Sequence, residues 1–536
     1  MRNPVMQPCA LAVVACAMAM TPISMPLHAQ SVPPAATPAP RLIVHFTVDQ
    51  LRPDYLTRFG DQLTGGLARL MKGGAVFTQA YQDHAITETA PGHASTLSGR
   101  FPRSTHIVQN TIGVEDTAHA LVQARGPGAS PFRFRGTTLT DWLTSHDPRT
   151  RALSISRKDR GAILPIGRGK QTVIWYAPLS GMFTTSTWYA DTLPTWVAAF
   201  NARRLPQSYA GRAWTPLLPA NAYAEPDSVP LESHGNDYLF PHVLPDDSAN
   251  AAAILPNFPW MDDVTLAGAM QGLEAMRLGT GPATDLLAVS LSSTDAVGHK
   301  YGSESRELHD HILRLDRALG AFIDSLYKVR DSTTIVISLT ADHGVTPYPG
   351  IASRDRPPGA IVVTAAWDTL VAVTQRVRAL GVDSTGFLVD PPFVQADAKA
   401  LAKHGIAKDS LIRALQRSLR AVPGVMRAET MAEVARHDTT TDAIARRWLH
   451  MFPADFPVAL TITLQPYDYW FSGSTTHGTP HDLDAHVPLI LYGPGVKAGR
   501  YTGMVRVVDL APTLAAIAHV TPTERLDGRV LRQAIR

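Results

Sequence analysis

The chain has 536 residues, of which 45% are hydrophobic and 18% are charged, and its formal net charge is +3. This composition is typical of a large globular protein and excludes a disordered chain, and so small a net charge does not indicate a general nucleic-acid-binding surface. Both cysteines, Cys9 and Cys16, lie near the N-terminus, so a metal site elsewhere must use histidine, carboxylate or hydroxyl ligands.

The first thirty residues have the pattern of a secretory signal peptide. Arg2 precedes the apolar run ALAVVACAMAM, and small residues offer a cleavage point after Ala29. We therefore expect residues 1–30 to direct export to the periplasm and residues 31–40 to form a flexible lead rich in proline and alanine. The stretch VVAC leaves an alternative open, in which the protein is a lipoprotein anchored through Cys16. No segment is long and apolar enough to predict a transmembrane helix in the mature chain.

From residue 41 onward, short apolar runs alternate with helical patterns. The runs RLIVHFTVDQ, RALSIS, DLLAVSLSSTD, TTIVISLTADHG and HVPLILYGPG are each typical of a buried strand. Helices are predicted in VVDLAPTLAAIA and in the segment 304–329, where Leu308, Ile312, Leu315, Leu319 and Ile323 recur every three or four residues. This alternation predicts an α/β fold with a largely parallel sheet. Irregular composition predicts a cap insertion at about 111–260, and a separate helical pattern predicts a second at about 375–475.

Residue types that bind metals recur beside the predicted strands. In parallel sheets, ligands bind beyond the carboxyl ends of the strands. Oxygen and imidazole ligands without sulfur suit Zn²⁺ or another borderline divalent ion. Each motif alone is more typical of a turn or a surface pair, but their recurrence at successive strand ends indicates a metal site. The residues are Asp49, the pair Asp295 and His299 in STDAVGHKYG, the pair Asp342 and His343, and His477 in THGTPHD.

Two further segments suit an anionic ligand. Residues 87–99 read TETAPGHASTLSG, a loop that runs into a helix, and free N–H groups at a helix start favour an anion. On composition alone, the candidate nucleophiles there are Thr87, Thr89, Ser95 and Thr96. In SRKDRGAILPIG, Lys158 and Arg160 point the same way if the segment is extended, and both suit phosphate. Alone, this segment is more typical of a solvated basic turn.

Taken in order, the motifs VDQ, TAPGH, KDR, STDAVGH, ADHG and HGTP resemble those of the alkaline phosphatase superfamily. The resemblance is specifically to the bacterial alkaline phosphatases with a threonine nucleophile, which are related to nucleotide pyrophosphatase/phosphodiesterases. It covers roughly residues 41 to 516. It implies a catalytic domain over 41–536 with the family's fold, a three-layer α/β sandwich with a largely parallel central sheet and cap insertions.

The resemblance also implies two Zn²⁺ ions per chain. One would be held by Asp295, His299 and His477. The other would be held by Asp49, Asp342 and His343, with Thr89 as its hydroxyl ligand. His481 and His486 are rivals for His477, which is preferred because the family's ligand is the histidine of a His-Gly pair.

The same resemblance implies the chemistry. Only Thr89 has the family's Thr-x-x-Gly-His spacing, so it would be the nucleophile and carry the phosphoryl group as phosphothreonine. Asn110, Lys158 and Arg160 would contact the phosphate of the substrate. The expected protein is an exported two-zinc alkaline phosphatase acting on small phosphate monoesters, with its oligomeric state left open.

Two alternatives remain. The first is a phosphodiesterase or nucleotide pyrophosphatase of the same superfamily, and the second is a non-catalytic protein that binds zinc or phosphate. A sulfatase is disfavoured, because its formylglycine precursor requires a cysteine or serine motif and the mature chain has no cysteine.

Overall fold

The structure, a computed structural model, describes residues 10, 38–347, 361–471 and 475–536. The predicted signal peptide, apart from residue 10, and most of the predicted lead lie outside the described residues. Residues 38–536 form one unit of mutual contacts. None of the helices in the described ranges combines the length and apolar character that crossing a bilayer requires.

The described strands fall into one large sheet and two small ones. In chain order they are β1 (Leu42–Val48), β2 (Ala75–Tyr81), β3 (Ala152–Ser156), β4 (Thr172–Ala177), β5 (Met182–Thr184), β6 (Ala213–Trp214), β7 (His242–Val243), β8 (Asp285–Leu291), β9 (Ile335–Thr340), β10 (Phe387–Asp390), β11 (Phe393–Ala396), β12 (Val425–Glu429), β13 (Val458–Leu464), β14 (His486–Tyr492), β15 (Gly499–Tyr501) and β16 (Val505–Arg506).

The large sheet has ten strands in the order β15–β2–β14–β9–β1–β8–β3–β4–β5, and β16 also pairs with β2. The central strands β9, β1, β8, β3 and β4 are parallel to one another. In contrast, β14 runs antiparallel to both of its neighbours, and β5 runs antiparallel to β4. The prediction of an α/β fold with a largely parallel sheet is confirmed.

Some of the described helices cover both faces of this sheet, and others pack on a smaller sheet. They are α1 (Pro53–Arg58), α2 (Gly66–Gly73), α3 (Thr89–Ser98), α4 (Pro102–Thr105), α5 (Leu139–His146), α6 (Asp159–Ile163), α7 (Thr195–Ala202), α8 (Ser248–Ile254), α9 (Trp260–Ala275), α10 (Ser293–Tyr301), α11 (Arg306–Val329), α12 (Thr364–Ala379), α13 (Ala398–Lys403), α14 (Lys408–Arg420), α15 (Met431–Val434), α16 (Ala443–Leu449), α17 (Asp482–Ala485) and α18 (Leu510–Ile517).

The three layers follow from the alternation of side chains along each strand. On β1, Leu42, Val44, Phe46 and Val48 join the core cluster that contains helices α2, α9 and α11. Ile43 points to the opposite face and joins the cluster that contains α3, α5 and α18. Two apolar cores therefore lie on the two sides of one buried sheet, which is the predicted three-layer sandwich.

The predicted helix at 304–329 is observed as α11. Its side chains Leu308, Ile312, Leu315, Leu319 and Ile323 are all buried. The hydroxyl of Ser305 accepts a hydrogen bond from the N–H group of Leu308, which satisfies a free donor of the first turn and explains why the helix begins at Arg306.

The ranges predicted for the cap insertions contain two different kinds of structure. Strands β3, β4 and β5 lie within 111–260, yet they belong to the large sheet. The second range contains all of a four-stranded antiparallel sheet with the order β10–β11–β13–β12. This small sheet packs with α12 and α14 around a separate apolar cluster that includes Leu370, Leu415 and Leu460.

The residues of the predicted site lie at one edge of the large sheet. The carboxyl ends of β9, β1, β8 and β3 lie side by side there because these strands are parallel and adjacent. The start of β14 lies at the same edge, because β14 runs in the opposite direction. The segments that leave or enter these ends carry Asp49, Asp342, His343, Asp295, Lys158 and His477.

Candidate active site

A first group of metal-binding side chains consists of Asp295, His299 and His477. Asp295 and His299 lie one turn apart on α10, with His299 Nε2 3.1 Å from Asp295 Oδ1. His477 Nε2 lies 3.6 Å from the same oxygen. Ligand atoms around a tetrahedral zinc ion are about 3.3 Å apart, given zinc–nitrogen bonds of about 2.0–2.1 Å. The three predicted ligands of one zinc ion therefore meet at a spacing that suits the metal.

The imidazole rings are oriented by backbone carbonyl groups. The Nδ1 atom of His299 lies 2.6 Å from the carbonyl oxygen of Thr475, and that of His477 lies 2.8 Å from the carbonyl oxygen of Thr87. In His343, Nδ1 lies 2.9 Å from the carbonyl oxygen of Gly344. A carbonyl oxygen only accepts, so each Nδ1 carries the proton and each Nε2 is left as a free metal ligand.

A second group of side chains surrounds the hydroxyl of Thr89. His343 Nε2 lies 3.5 Å from Thr89 Oγ1, 3.5 Å from Asp342 Oδ2 and 3.7 Å from Asp49 Oδ1. All four side chains are buried. Nitrogen and oxygen donors at this spacing fit a divalent cation such as Zn²⁺, as the sequence predicted for these residues.

Burial and mutual repulsion shift the acidity of the two carboxyl groups in this second group. Burial, followed by the neighbouring charge of Asp49, raises the pKa of Asp342 well above its usual value. For Asp49, burial also acts to raise the pKa, but attraction to Lys158 outweighs it and the pKa is lowered. Two buried carboxyl groups that face each other favour a bound cation, which would compensate both charges.

Lys158 lies between the two groups. Its ammonium is 2.6 Å from Asp49 Oδ2, 2.7 Å from Asp295 Oδ2 and 3.4 Å from Thr89 Oγ1. It comes directly after β3, which places it at the same edge of the sheet as the predicted ligands. The structure thus brings Lys158 to the position predicted for it, beside the candidate nucleophile.

Arg160 lies differently from the expectation for an extended segment. Helix α6 begins at Asp159, so Arg160 is helical and does not alternate with Lys158 along a strand. Its guanidinium is 3.7 Å from Asp159, and its positive charge acts on Glu88, the residue before Thr89. The expectation that both side chains point the same way because of an extended backbone is therefore wrong, although Arg160 stays near the candidate site.

Asn110 is fixed beside the start of α3. Its side-chain oxygen accepts a hydrogen bond of 2.8 Å from the N–H group of Ala90. Its own N–H group donates to Glu88 at 2.7 Å. These two bonds hold the Asn110 amide next to Thr89, where the sequence predicted a contact with phosphate.

The rival hydroxyl groups each donate to a backbone carbonyl. Thr87 donates to Thr479, Ser95 to Pro91 and Thr96 to His93, each at 2.8 Å. Of these candidates, Thr89 is the one whose hydroxyl lies beside His343 and Lys158. Its place at the first position of α3 puts it at the positive end of the helix dipole.

The rival histidines lie outside both groups. His481 Nε2 contacts the carbonyl oxygen of Leu464 at 2.9 Å. His486 Nε2 contacts that of Thr78 at 2.9 Å, and its ring stacks on Tyr81. His477 instead stacks on His343 with ring centroids 3.5 Å apart, which places it between the two groups of candidate ligands.

Three polar residues at the site were not singled out from the sequence. His93 Nδ1 lies 3.2 Å from Asp342 Oδ2, and its Nε2 lies 3.0 Å from the hydroxyl of Ser290. Gln50 donates from its side chain to Asp295 at 3.0 Å, and Arg157 lies 3.8 Å from the same carboxylate. Gln50 and Arg157 are next to Asp49 and Lys158 in the sequence, and His93 is the histidine of the Thr-x-x-Gly-His spacing. His93 and Gln50 orient the candidate ligands, and Arg157 adds positive charge beside Asp295.

Gly92 is required by a close contact with a candidate ligand. A Cβ atom at this position would overlap the backbone of Asp342. The glycine in TAPGH therefore lets α3 approach the Asp342–His343 segment, which brings the hydroxyl of Thr89 to the ligands that follow β9.

The fold and the site have known relatives. The model of the family described as type I phosphodiesterase/nucleotide pyrophosphatase matches residues 43–426. The chain belongs to this family. Among the family's relatives, the chain is 31% identical to alkaline phosphatase PhoV of Synechococcus elongatus over 98% of each chain. It is 28% identical to alkaline phosphatase PafA of Elizabethkingia meningoseptica, over 93% of this chain and 95% of the relative.

Solved structures support the same assignment. A crystal structure of wild-type alkaline phosphatase PafA aligns with a TM-score of 0.85 and 27% identity, covering 94% of this chain and 100% of that one. A variant of PafA with one threonine, one asparagine, one lysine and one arginine replaced aligns equally well. The resemblance to the bacterial alkaline phosphatases drawn from the sequence motifs is confirmed.

Proposed function

We propose that this protein is an exported two-zinc alkaline phosphatase that hydrolyses phosphate monoesters through a phosphorylated Thr89. The observation that carries the proposal is the meeting of the predicted ligands around one hydroxyl group. Relatives named alkaline phosphatases, similar over nearly the whole chain, support the reaction class. The residues that meet come from separate segments and are Asp49, Thr89, Asp295, His299, Asp342, His343 and His477.

The proximity of the donor atoms and the family resemblance support one set of ligands for each zinc ion. Asp295, His299 and His477 would hold one ion, and Asp49, Asp342, His343 and Thr89 would hold the other. When bound, the two ions would supply the positive charge that makes an ordinary hydroxyl nucleophilic and stabilises the departing oxygen.

The reaction then proceeds in two displacements. The Thr89 hydroxyl releases its proton to solvent, and its Oγ forms a bond to phosphorus while the ester P–O bond breaks; the leaving alcohol takes up a proton from solvent. Water next attacks the phosphothreonine, which releases inorganic phosphate and restores the Thr89 hydroxyl. Lys158, Asn110 and Arg160 would bind the non-bridging oxygens, because charged and amide donors stabilise charge that develops there.

The replaced residues of the PafA variant support these four roles. The threonine and asparagine replaced there are as far apart in sequence as Thr89 and Asn110 are here, and the lysine and arginine are as far apart as Lys158 and Arg160. The same four residue types at the same two separations are therefore available in this chain.

Thr89→Ala tests the assignment of the nucleophile. The variant should keep its zinc content, because the other ligands remain, and should lose turnover of p-nitrophenyl phosphate by on the order of a thousandfold or more. Thr96→Ala, on the same helix but bonded to a backbone carbonyl, is the matched control. Undiminished turnover in Thr89→Ala would contradict the proposal. Binding of zinc and phosphate without turnover in the unmodified protein would instead support the non-catalytic alternative.

A phosphodiesterase is the second candidate, because the matching family model carries that description. Lys158 favours the monoesterase, since a dianionic phosphate gains more than a diester from an additional positive charge. Rates on p-nitrophenyl phosphate and bis(p-nitrophenyl) phosphate, measured with one preparation, separate the two. Faster turnover of the bis ester would overturn the preference for monoesters.

Export forms a separate part of the proposal. It is supported by the charged, apolar and small-residue regions of the first thirty residues. Cell fractionation with N-terminal sequencing should find a periplasmic protein that begins after Ala29. Lipid attached to Cys16 would support the lipoprotein alternative instead.

A further inference from the structure

Basic and aromatic side chains from three separate segments meet on the surface of the protein. The segments are the stretch before α5, the turn between α6 and β4, and the stretch after β5. None of these side chains belongs to the candidate active site. We call the cluster the basic face, and its residues are Phe132, Arg133, Arg135, Arg168, Lys170 and Trp188.

The cations of the basic face are grouped around its two aromatic rings. The carbonyl oxygen of Phe132 accepts hydrogen bonds from Arg135 at 3.2 Å and from Arg168 at 3.0 Å. The guanidinium of Arg133 lies over the Phe132 ring, 4.2 Å from its centroid.

The second ring is covered in the same way. The ammonium of Lys170 lies 3.7 Å from the centroid of the Trp188 ring and donates to the Trp188 carbonyl oxygen at 2.6 Å. The guanidinium of Arg168 lies 5.7 Å from the centroid of the same ring. Arg168 contacts both aromatic residues, so the four cations form one continuous group.

The loops that carry these side chains are locked together. The hydroxyl of Thr138 donates to the carbonyl oxygen of Ile166 at 3.1 Å. Gly167 has a left-handed φ of 62°, and a Cβ atom there would lie 2.9 Å from the ring of Phe134. The tight packing of these two segments holds the basic face in one arrangement.

The positive charges of the basic face are not neutralised within the protein. None of its four cations forms an ion pair with a carboxylate of the described residues. The carboxylate of Asp116, which lies near Arg133, accepts hydrogen bonds from Ser130 and Ala118 instead.

Neighbouring arginines differ in this respect. Arg100, which donates to the carbonyl oxygen of Arg135, is paired with Glu524 at 3.0 Å, and Arg103 is paired with Asp527 at 2.8 Å. Burial, followed by the positive charge of Arg168, lowers the pKa of Lys170 below its usual value. Like charges held together in this way repel one another, and an anionic partner would relieve the repulsion.

An exposed aromatic ring among these charges indicates the kind of partner. Phe132 is 38% exposed, while Arg135, Arg168 and Lys170 around it are exposed to solvent. A phenyl ring flanked by cations suits the boundary of a lipid bilayer, where the ring enters between headgroups and the cations contact lipid phosphates. A net charge of only +3 for the whole chain favours nucleic acid less.

We propose that the basic face binds the surface of membranes that contain anionic phospholipids, with Phe132 inserted among the headgroups. The four cations contact lipid phosphates, and the protein stays peripheral, because one ring and four charges form a reversible anchor. This binding is a property of the surface and does not depend on the proposed reaction. The proposed export would bring the face to a lipid leaflet.

Flotation with lipid vesicles tests the proposal. The zinc-loaded protein, with the same N-terminus in every variant, should float with vesicles of phosphatidylcholine and phosphatidylglycerol but not with phosphatidylcholine alone. Added salt should release it. The double variant Arg168→Gln/Lys170→Gln should lower the partition coefficient about 25-fold, since each cation near an anionic surface contributes about fivefold. Phe132→Ala should lower it about fivefold, because the exposed part of the ring is lost.

Matched controls change the same charge and the same apolar area elsewhere. Lys399→Gln/Lys403→Gln removes two exposed lysines of α13, and Leu380→Ala removes a side chain that is 58% exposed. Both should bind vesicles as the wild type does. The melting temperature and the turnover of p-nitrophenyl phosphate should be unchanged in the basic-face variants, which shows that they are folded and separates this inference from the proposed function.

Several outcomes would overturn the assignment. They are absence of binding to anionic vesicles, equal binding to vesicles of phosphatidylcholine alone, and equal losses in the α13 control and the basic-face variant. Binding of a single-stranded oligonucleotide without binding of vesicles would show that the face takes nucleic acid and would overturn the lipid assignment. A vesicle-binding protein without phosphatase activity would overturn the proposed function and leave this inference supported.

Discussion

At the scale of single residues, Lys158 has two potential roles. Its ammonium lies within 2.7 Å of the carboxylates of both Asp49 and Asp295, which belong to different candidate metal sites. Bound cations would compensate these carboxylates in its place, which leaves the ammonium for the phosphate of the substrate. Under the proposed function, the same side chain would therefore stabilise the metal-free protein and serve the reaction of the metal-loaded one.

We predict that Lys158→Ala destabilises the metal-free protein more than the zinc-loaded protein. Removing one partner of a buried ion pair costs about 3–5 kcal/mol because the remaining charge stays buried. Thermal unfolding with chelator and with zinc measures the two effects, and Lys170→Ala on the surface is the control. The zinc-loaded variant should also lose turnover of monoesters more than of diesters. Equal destabilisation in both states, or a greater loss on diesters, would contradict this account of Lys158.

The candidate ligands could be selected from the sequence because each follows or precedes a predicted strand. Asp295 and His299 stand one helical turn apart, and His477 was preferred over His481 and His486 for its following glycine. The contacts of His93, Gln50 and Arg157 could not be predicted, since they depend on how distant segments pack. The orientation of Arg160 could not be predicted either, because it depends on α6 beginning at Asp159. The sequence motif does not show where that helix begins.

At the scale of elements, helix α3 positions Thr89, the proposed nucleophile, through its contact with the segment after β9. We predict that Gly92→Ala moves α3 away from the segment after β9, because the added methyl group overlaps the Asp342 backbone. The variant should lose at least about tenfold in activity, bind zinc less tightly and unfold at a lower temperature. Activity and zinc content should both be measured.

Gly503→Ala is the matched control for this prediction. Nothing lies within 4 Å of a Cβ atom at that position. Wild-type activity and zinc affinity in Gly92→Ala would contradict the role assigned to the contact between α3 and Asp342.

A second prediction for an element concerns the short helical turn at Glu232–Gly235, which lies beside the start of α11. Burial, with the charges of Glu307 and Asp227, raises the pKa of Glu232 from 4.5 to about 9. The folded protein thus holds a proton that the unfolded chain releases above pH 4.5. This group therefore lowers the free energy of unfolding as pH rises from about 4.5 to about 9, by about 1.4 kcal/mol per pH unit at most.

Glu232→Gln should remove this pH-dependent decrease in the free energy of unfolding, because glutamine stays neutral. We predict that the variant has a higher melting temperature than the wild type and that the difference grows from pH 6 to pH 9. Glu274→Gln, at an exposed position, is the control. A melting-temperature difference that stays constant or shrinks with rising pH would contradict the burial of an uncompensated carboxyl group.

The prediction of elements from sequence had a clear physical limit. The helix α11 and the strands β1, β3, β8, β9 and β14 were predicted because their apolar patterns are long or uninterrupted. The sequence of β2, AVFTQAY, mixes polar with apolar residues and was not predicted. Likewise, β4 and β5 lie in a segment whose aromatic and proline content suggested a cap, although they extend the large sheet.

At the scale of the whole molecule, the two ligand groups join segments that are far apart in the chain. Asp49, Thr89, Asp295, Asp342 and His477 all reach one edge of the sheet. We predict that removing metal with a chelator abolishes turnover and lowers the melting temperature by roughly 5 °C or more, because ligands that bind only the folded state stabilise it. Elemental analysis should give two zinc ions per chain, and zinc should restore both properties. Full activity in metal-free protein would contradict the assignment of the site.

The central claim is that Thr89 attacks phosphorus and carries the phosphoryl group. Rapid acid quenching of the zinc-loaded protein during turnover of p-nitrophenyl phosphate, followed by peptide mass spectrometry, tests this directly. We predict one phosphoryl group on Thr89, formed together with an initial burst of nitrophenol. A burst of nitrophenol without a phosphoryl group on Thr89, or with one on another residue, would contradict the account.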